Sequence, residues 1–201
     1  MYSFLFQQPF VPEYLSRAPV VYFYLHNEKM FFDSICNALY SKYDSSVIFE
    51  LRVIVTDDHG RGHRELNKDQ YSRDSINQIK VEKMIKRLGK YPGRSLVSNN
   101  LEEVAWLVIQ HAQPEYQIKY LPVIQNAVAE KDLKPLYLAY TIDRINMGTD
   151  LPQVYGTQFT MEGDRNIMYP IQDLSKVDIL RKSVGLGPLK EYMEETNTYF
   201  K

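Results

Sequence analysis

The sequence predicts a mainly α fold, a single-domain helical bundle with an irregular C-terminal segment packed across it. Three observations carry that expectation. Apolar residues recur at i, i+3, i+4 and i+7 in several windows, as at Val81, Met84, Ile85 and Leu88. Helix-stopping residues separate the windows: Gly60 and Gly62, Gly89 ahead of Tyr91-Pro92-Gly93, Pro114 and Gly148. The window Leu101–Ala112, LEEVAWLVIQHA, is apolar on nearly every face and should be buried nearly all round.

The totals bound the class. The 201 residues suit one domain, read as residues 1–46, an aromatic and proline-rich arm plus a first helix, followed by residues 47–201, the helical domain. Lys and Arg number 24 against 25 Asp and Glu, a net charge of −1 that gives neither nucleic acid nor an anionic membrane a basic footprint. The single cysteine, Cys36, excludes an internal disulfide framework and any multi-cysteine zinc site; its apolar neighbours Phe32, Ile35 and Leu39 assign it to packing. No apolar run approaches the roughly 18–20 residues of a membrane span. The apolar start lacks a basic n-region and is broken by Gln7, Gln8 and Pro9, so the expectation is a soluble, cytoplasmic protein without a signal peptide.

Taken in order, residues 1–25 form an extended arm or short strand (Val20–Tyr24), and a helix follows over about 28–43. Asp44-Ser45-Ser46 caps a helix over about 47–58, although its Val- and Ile-rich run also suits a strand. An amphipathic helix runs over about 74–88, with Lys80, Glu82, Lys83, Lys86 and Arg87 on its wet side. Ser98, Asn99 or Asn100 caps the central helix, and Glu102 and Glu103 suit its dipole. Helices over about 115–129, with Pro122 inside, and 135–146 come next. Residues 149–201 read as loop and short helix, the last helix lying over about 175–183.

Polar residues stand in register with the apolar stripes at Asp58, at Asp74 with Asn77, at His111 beside Gln110, and at Asp143. Buried carboxylates are normally paired, hydrogen-bonded or metal-bound, and Arg61, Arg144 and Arg181 are the guanidinium groups that could hold them. Two readings of this pattern stay open. One is a fully paired network that fixes helix register; the other is the floor of a pocket, with Tyr155 and Gln158 on the loop above it. Other signals are weak. His59 and His63 are interleaved with Gly60 and Gly62 and belong to a solvated loop; no HExxH, GxSxG, P-loop or GxGxxG motif is present. No motif asks for a cofactor, and no metal site is assigned.

Several separated segments also form a family pattern in one order: Asp57 or Asp58 with Arg61, Asp74-x-x-Asn77, Gly89-x-x-Pro92, Trp106–Ala112 (WLVIQHA), Ala139–Arg144 (AYTIDR) and Gln153–Gln158 (QVYGTQ). Tyr169-Pro170-Ile171-x-Asp173, Val177-Asp178, Arg181, Gly185-Leu186 and Leu189 continue it. Over about residues 47–192 the chain thus resembles a mostly bacterial family catalogued as domain of unknown function 6624. Tyr91 stands where the family tends to have Trp, and Ala112-Gln113 replaces the usual acidic residue after the His-Ala pair. The resemblance implies a mostly helical fold and marks His111, Asp143, Arg144 and Gln158, but implies no reaction.

Three functions follow as expectations. The first is a binding or interaction domain whose polar cluster around His111 holds the helices together and takes a small polar ligand. The second is an enzyme, a hydrolase, with His111 as general base oriented by Asp143 or Asp74, and with Arg144 and Gln158 stabilising an anion. A metal-assisted form of it draws on Asp58, Asp74, His111 and Asp143. The third is an immunity or accessory protein that meets a protein partner through the aromatic N-terminal arm.

Overall fold

The structure is a computed structural model that describes residues 43–58, 68–97 and 101–200, with side chains over 43–55, 73–97 and 101–200. The expectations for the arm, the first helix, Cys36, the residues from His59 to His63 and the cap at 98–100 lie outside the described residues. The fold is mainly α: helices α1 (Ser45–Asp58), α2 (Lys68–Leu88), α3 (Val104–Gln110), α4 (Pro114–Ala129) and α5 (Pro135–Gly148) are followed by a hairpin of β1 (Phe159–Glu162) and β2 (Arg165–Met168). Short helices α6 (Val177–Ser183) and α7 (Leu189–Glu195) and a strand β3 (Thr198–Tyr199) complete it.

Local chemistry explains where the helices begin. The Asp44 carboxylate accepts from the Ser46 and Val47 N–H groups at 2.9 and 3.1 Å and from the Ser46 hydroxyl at 2.6 Å, which caps α1 and holds the Asp44 carboxyl below its ordinary pKa. That cap, together with Val47, Leu51 and Ile54 buried at i, i+4 and i+7, makes a helix of a β-branched stretch that could have been a strand. Each such aliphatic side chain contributes about 1.5–3 kcal/mol on burial. Helix α2 starts earlier than its apolar stripe does, at Lys68, and buries Asn77, Val81, Met84 and Ile85. Pro114 and Pro135 open α4 and α5 in their first turns, where a missing N–H costs nothing.

Helix α3 is the middle of the bundle. It meets α1, α2, α4 and α5, and every residue of it except Leu107 is buried. Trp106 fixes its register: the indole N–H donates to Thr141 Oγ1 at 2.9 Å, and the ring lies 4.5 Å from the Tyr137 ring. Tyr91 ties the same helix to its approach, donating to the Glu102 carbonyl at 2.5 Å and accepting from the Trp106 N–H at 3.0 Å.

The C-terminal segment is more regular than its sequence suggests. β1 and β2 pair antiparallel from Phe159↔Met168 to Glu162↔Arg165, and β3 lies parallel to β2 through Asn166↔Thr198 and Ile167↔Tyr199. Strands this short carry too little period-2 pattern to be read in advance. Met168, Val177 and Leu189 form a small second core under them.

Between α2 and α3 the chain folds against the loop that joins α4 and α5. Asp132 accepts from the Ser95 N–H and hydroxyl, both at 2.8 Å, and the Asp132 carbonyl accepts from the Arg94 N–H at 2.9 Å. Gly93 packs so tightly there that a Cβ would sit 2.4 Å from the Asp132 carbonyl oxygen. Gly93→Ala is therefore expected to lower stability by about 1–3 kcal/mol, the usual cost of overpacking, read as a reduced urea midpoint with an unchanged slope.

Candidate functional site

The polar site is built around the turn that joins α5 to the hairpin. Asp143, on α5, is wholly buried. Its Oδ1 accepts from the Val154 N–H at 2.7 Å and the Tyr155 N–H at 3.0 Å; its Oδ2 accepts from the Tyr155 and Thr157 N–H groups at 3.2 and 3.0 Å and from the Thr157 hydroxyl at 3.0 Å. Burial raises the carboxyl above its ordinary pKa, and these donors oppose the shift. Donors alone reach it, the arrangement that suits a carboxylate.

The same turn presents its carbonyls the other way. Arg181 of α6, 2% exposed, donates from Nη1 to the Tyr155 and Gly156 carbonyls at 2.9 and 3.0 Å and from Nε to the Gly187 carbonyl at 2.6 Å. The Tyr192 ring lies 5.0 Å beneath its guanidinium carbon, and the Tyr192 hydroxyl donates to the Thr157 carbonyl at 2.8 Å. Residues 154–157 are thus held by their N–H groups on an anion and by their carbonyls on a cation. Gly156 at φ +65° makes the bend, and a Cβ on it would meet Leu189 Cδ1 at 2.8 Å and Ile171 Cδ1 at 2.9 Å.

Gln153 and Gln158 lock the edge of the turn. Gln153 Oε1 accepts from the Gln158 N–H at 2.9 Å, while its amide donates to the Gln158 and Tyr169 carbonyls at 3.0 and 2.6 Å. A directed chain then runs through the site. Arg144 Nη1 donates to Gln158 Oε1 at 3.1 Å, Gln158 Nε2 to Thr157 Oγ1 at 3.0 Å, and Thr157 Oγ1 to Asp143. It begins at a guanidinium that burial holds below its ordinary pKa and ends at a carboxylate.

Asp143, Arg144, Tyr155 and Gln158 therefore come together, as the sequence placed them on one helix and the loop above it. Among the described residues, His111, Gln110, Asn77 and Asp74 stand apart from the hydrogen bonds around Asp143. His111 is exposed: α3 ends at Gln110 and His111 is its C-cap, so the imidazole leaves the apolar stripe it was assigned to. The expectation of a network centred on His111 is corrected accordingly. Gln110 is buried and donates to the Tyr140 carbonyl at 3.3 Å. Asn77 is buried on α2, Asp74 is half-buried near its start, and the Asp58 side chain and Arg61 lie outside the described residues. Among the described residues no three His, Cys, Asp or Glu side chains are grouped to hold a metal ion, so Asp74, His111 and Asp143 do not form such a group by themselves. Nor does either arginine grip Asp143 in the expected fork: Arg181 takes carbonyls and Arg144 takes an amide.

Three features escaped the sequence reading. Thr157 joins Asp143 to Gln158 through its hydroxyl, and Gln153 acts through backbone partners, which leave no pattern. Gln117 on α4 donates to the Gln110 and Ala112 carbonyls, both at 2.9 Å, satisfying the open C-terminal end of α3. Glu102, read as a helix-dipole residue, is wholly buried; Arg94 binds both its oxygens and Lys134 approaches to 3.3 Å. Elsewhere, a groove of about 650 Å³ lined by Leu174, Val177, Leu189, Met193, Tyr199 and Phe200 opens beside α6, α7 and β3, and none of the described candidate site residues lines it.

The fold and site together define a mainly α domain whose C-terminal segment is fastened by a buried carboxylate. The chain belongs to a family of unknown function, DUF6624, whose model matches residues 56–200. No curated protein and no solved structure matches it. No helix among the described residues is long and apolar enough to cross a membrane.

Asp143→Asn tests the electrostatics of the turn. Both oxygens already accept at least two bonds, so an amide NH₂ must face a backbone N–H in either orientation. The variant is expected to lose about 3–5 kcal/mol, the cost of breaking a buried charged group's partnership, measured by urea denaturation. A loss below about 0.5 kcal/mol, the range of an inconsequential surface change, would contradict it.

Proposed function

We propose that the domain is a binding or interaction domain in which the Asp143 cluster is a structural latch, not catalytic machinery. One observation carries the reading: both Asp143 oxygens are filled by donors of its own chain, and the residue has no exposed surface. A general base or metal ligand needs a lone pair that a substrate, water or ion can reach, and this carboxylate offers none. The exposed position of His111 supports the same reading, because a base oriented by Asp143 would have to lie in that carboxylate's shell. What the latch secures is the C-terminal segment, which carries Gln158 to Arg144 and forms the walls of the open groove.

Limited proteolysis of Asp143→Ala separates a latch from a catalyst. The variant should be cut within residues 149–158 much faster than the wild type while Trp106, the single tryptophan, keeps its folded fluorescence. Wild-type resistance of Asp143→Ala to cleavage would overturn the proposal, as would loss of the bundle's Trp106 signal along with the segment.

A further inference from the structure

We propose that Arg144 is a ligand-binding residue whose half-buried guanidinium receives the carboxylate group of a small molecule. The inference rests on the latch reading above, since it takes Asp143 to be unavailable as Arg144's counter-ion. The guanidinium has five N–H donors, and among the described residues it uses them for one hydrogen bond, to the neutral oxygen of the Gln158 amide at 3.1 Å. Ion pairs such as Arg87–Glu50, Arg94–Glu102 and Lys90–Asp132 form among the described residues, and Arg144 takes part in none. A guanidinium partly withdrawn from water without an anion beside it loses hydration that an arriving anion replaces.

The Gln158 amide cannot turn to supply anything better. Its Nε2 is committed to Thr157 Oγ1, its backbone N–H to Gln153 Oε1, and its carbonyl to Gln153 Nε2 and the Tyr169 N–H. The guanidinium is therefore tied to the turn through Gln158, and its other donors meet no protein acceptor among the described residues. The charge count selects the ligand. Asp143 and Arg181 are both buried and of opposite sign on the two sides of the turn, so they balance each other. Arg144, by contrast, meets only the neutral Gln158 amide among the described residues, and a single carboxylate matches its single charge. A carboxylate also matches the planar fork with two parallel bonds.

The test is an NMR titration of the ¹⁵N-labelled full chain, following the Arg144 Nε–H resonance, assigned by its loss in Arg144→Lys. Sodium acetate, phosphate and chloride are compared at matched ionic strength. Acetate is expected to shift the resonance saturably, phosphate to bind more weakly, and chloride to give no saturation. Arg144→Gln, which can still donate to Gln158, should keep the wild-type melting temperature or exceed it and lose at least about tenfold in acetate affinity, the scale of one charged hydrogen bond. Arg144→Lys should weaken binding because an ammonium lacks the fork. Absence of a saturable acetate shift in the wild type overturns the proposal without recourse to any variant. Undiminished acetate affinity in Arg144→Gln overturns it too, and tighter binding of phosphate than of acetate overturns the carboxylate assignment. Each outcome is independent of whether Asp143→Ala frees the C-terminal segment, so failure here and failure of the latch are told apart.

Discussion

The C-terminal third of this domain depends on four residues, 154–157, suspended between two buried charges. Asp143 takes their N–H groups and Arg181 takes their carbonyls, so peptide dipoles lie between an anion and a cation that never touch. A buried ion is tolerable when every remaining bonding position is filled, and the turn fills them from its own backbone. The rest of the segment is fastened to the same place. Arg181 also holds the Gly187 carbonyl, Asp178 accepts from the Leu189 N–H at 2.8 Å, and Tyr192 reaches back to Thr157. Short helices of seven residues have little stability of their own, and these contacts substitute for it.

Helix α5 joins this arrangement to the bundle. Residues two apart on a helix point to nearly opposite sides, and α5 uses that separation. Thr141 faces α3, where it accepts from the Trp106 indole and passes a bond to the Tyr137 carbonyl at 2.9 Å. Asp143 faces the turn. One helix thus fixes both the centre of the bundle and the latch, and Arg144, next in sequence, is carried to the edge of the latch where Gln158 meets it.

The helical order of the chain was legible because amphipathic periodicity and stop residues are local properties. The end of α6 near Gly185, the proline starts of α4 and α5, and the cap at Asp44 all belong to that local class. Asp143 stood out because a carboxylate on an apolar stripe demands a partner wherever it is buried. The identity of that partner was not legible: a guanidinium was expected, and backbone N–H groups of a turn serve instead, which no side-chain pattern announces. His111 misled for a related reason. Its register with Val104 and Val108 was correct along the helix, but α3 ends one residue before it, and a stripe has no meaning beyond the helix that carries it. Glu102 was overlooked because its partners Arg94 and Lys134 lie on either side of it in different loops, eight residues before and thirty-two after.

The measurement closest to the central claim is native-state hydrogen exchange at three amides. Val154, Tyr155 and Thr157 lie in an irregular connection, where backbone N–H groups ordinarily face water and exchange quickly. With those groups donating to a wholly buried carboxylate, they should exchange as slowly as the amides of α5 and through the same unfolding event. Rapid exchange at these positions, with α5 still protected, would show that Asp143 does not hold the turn.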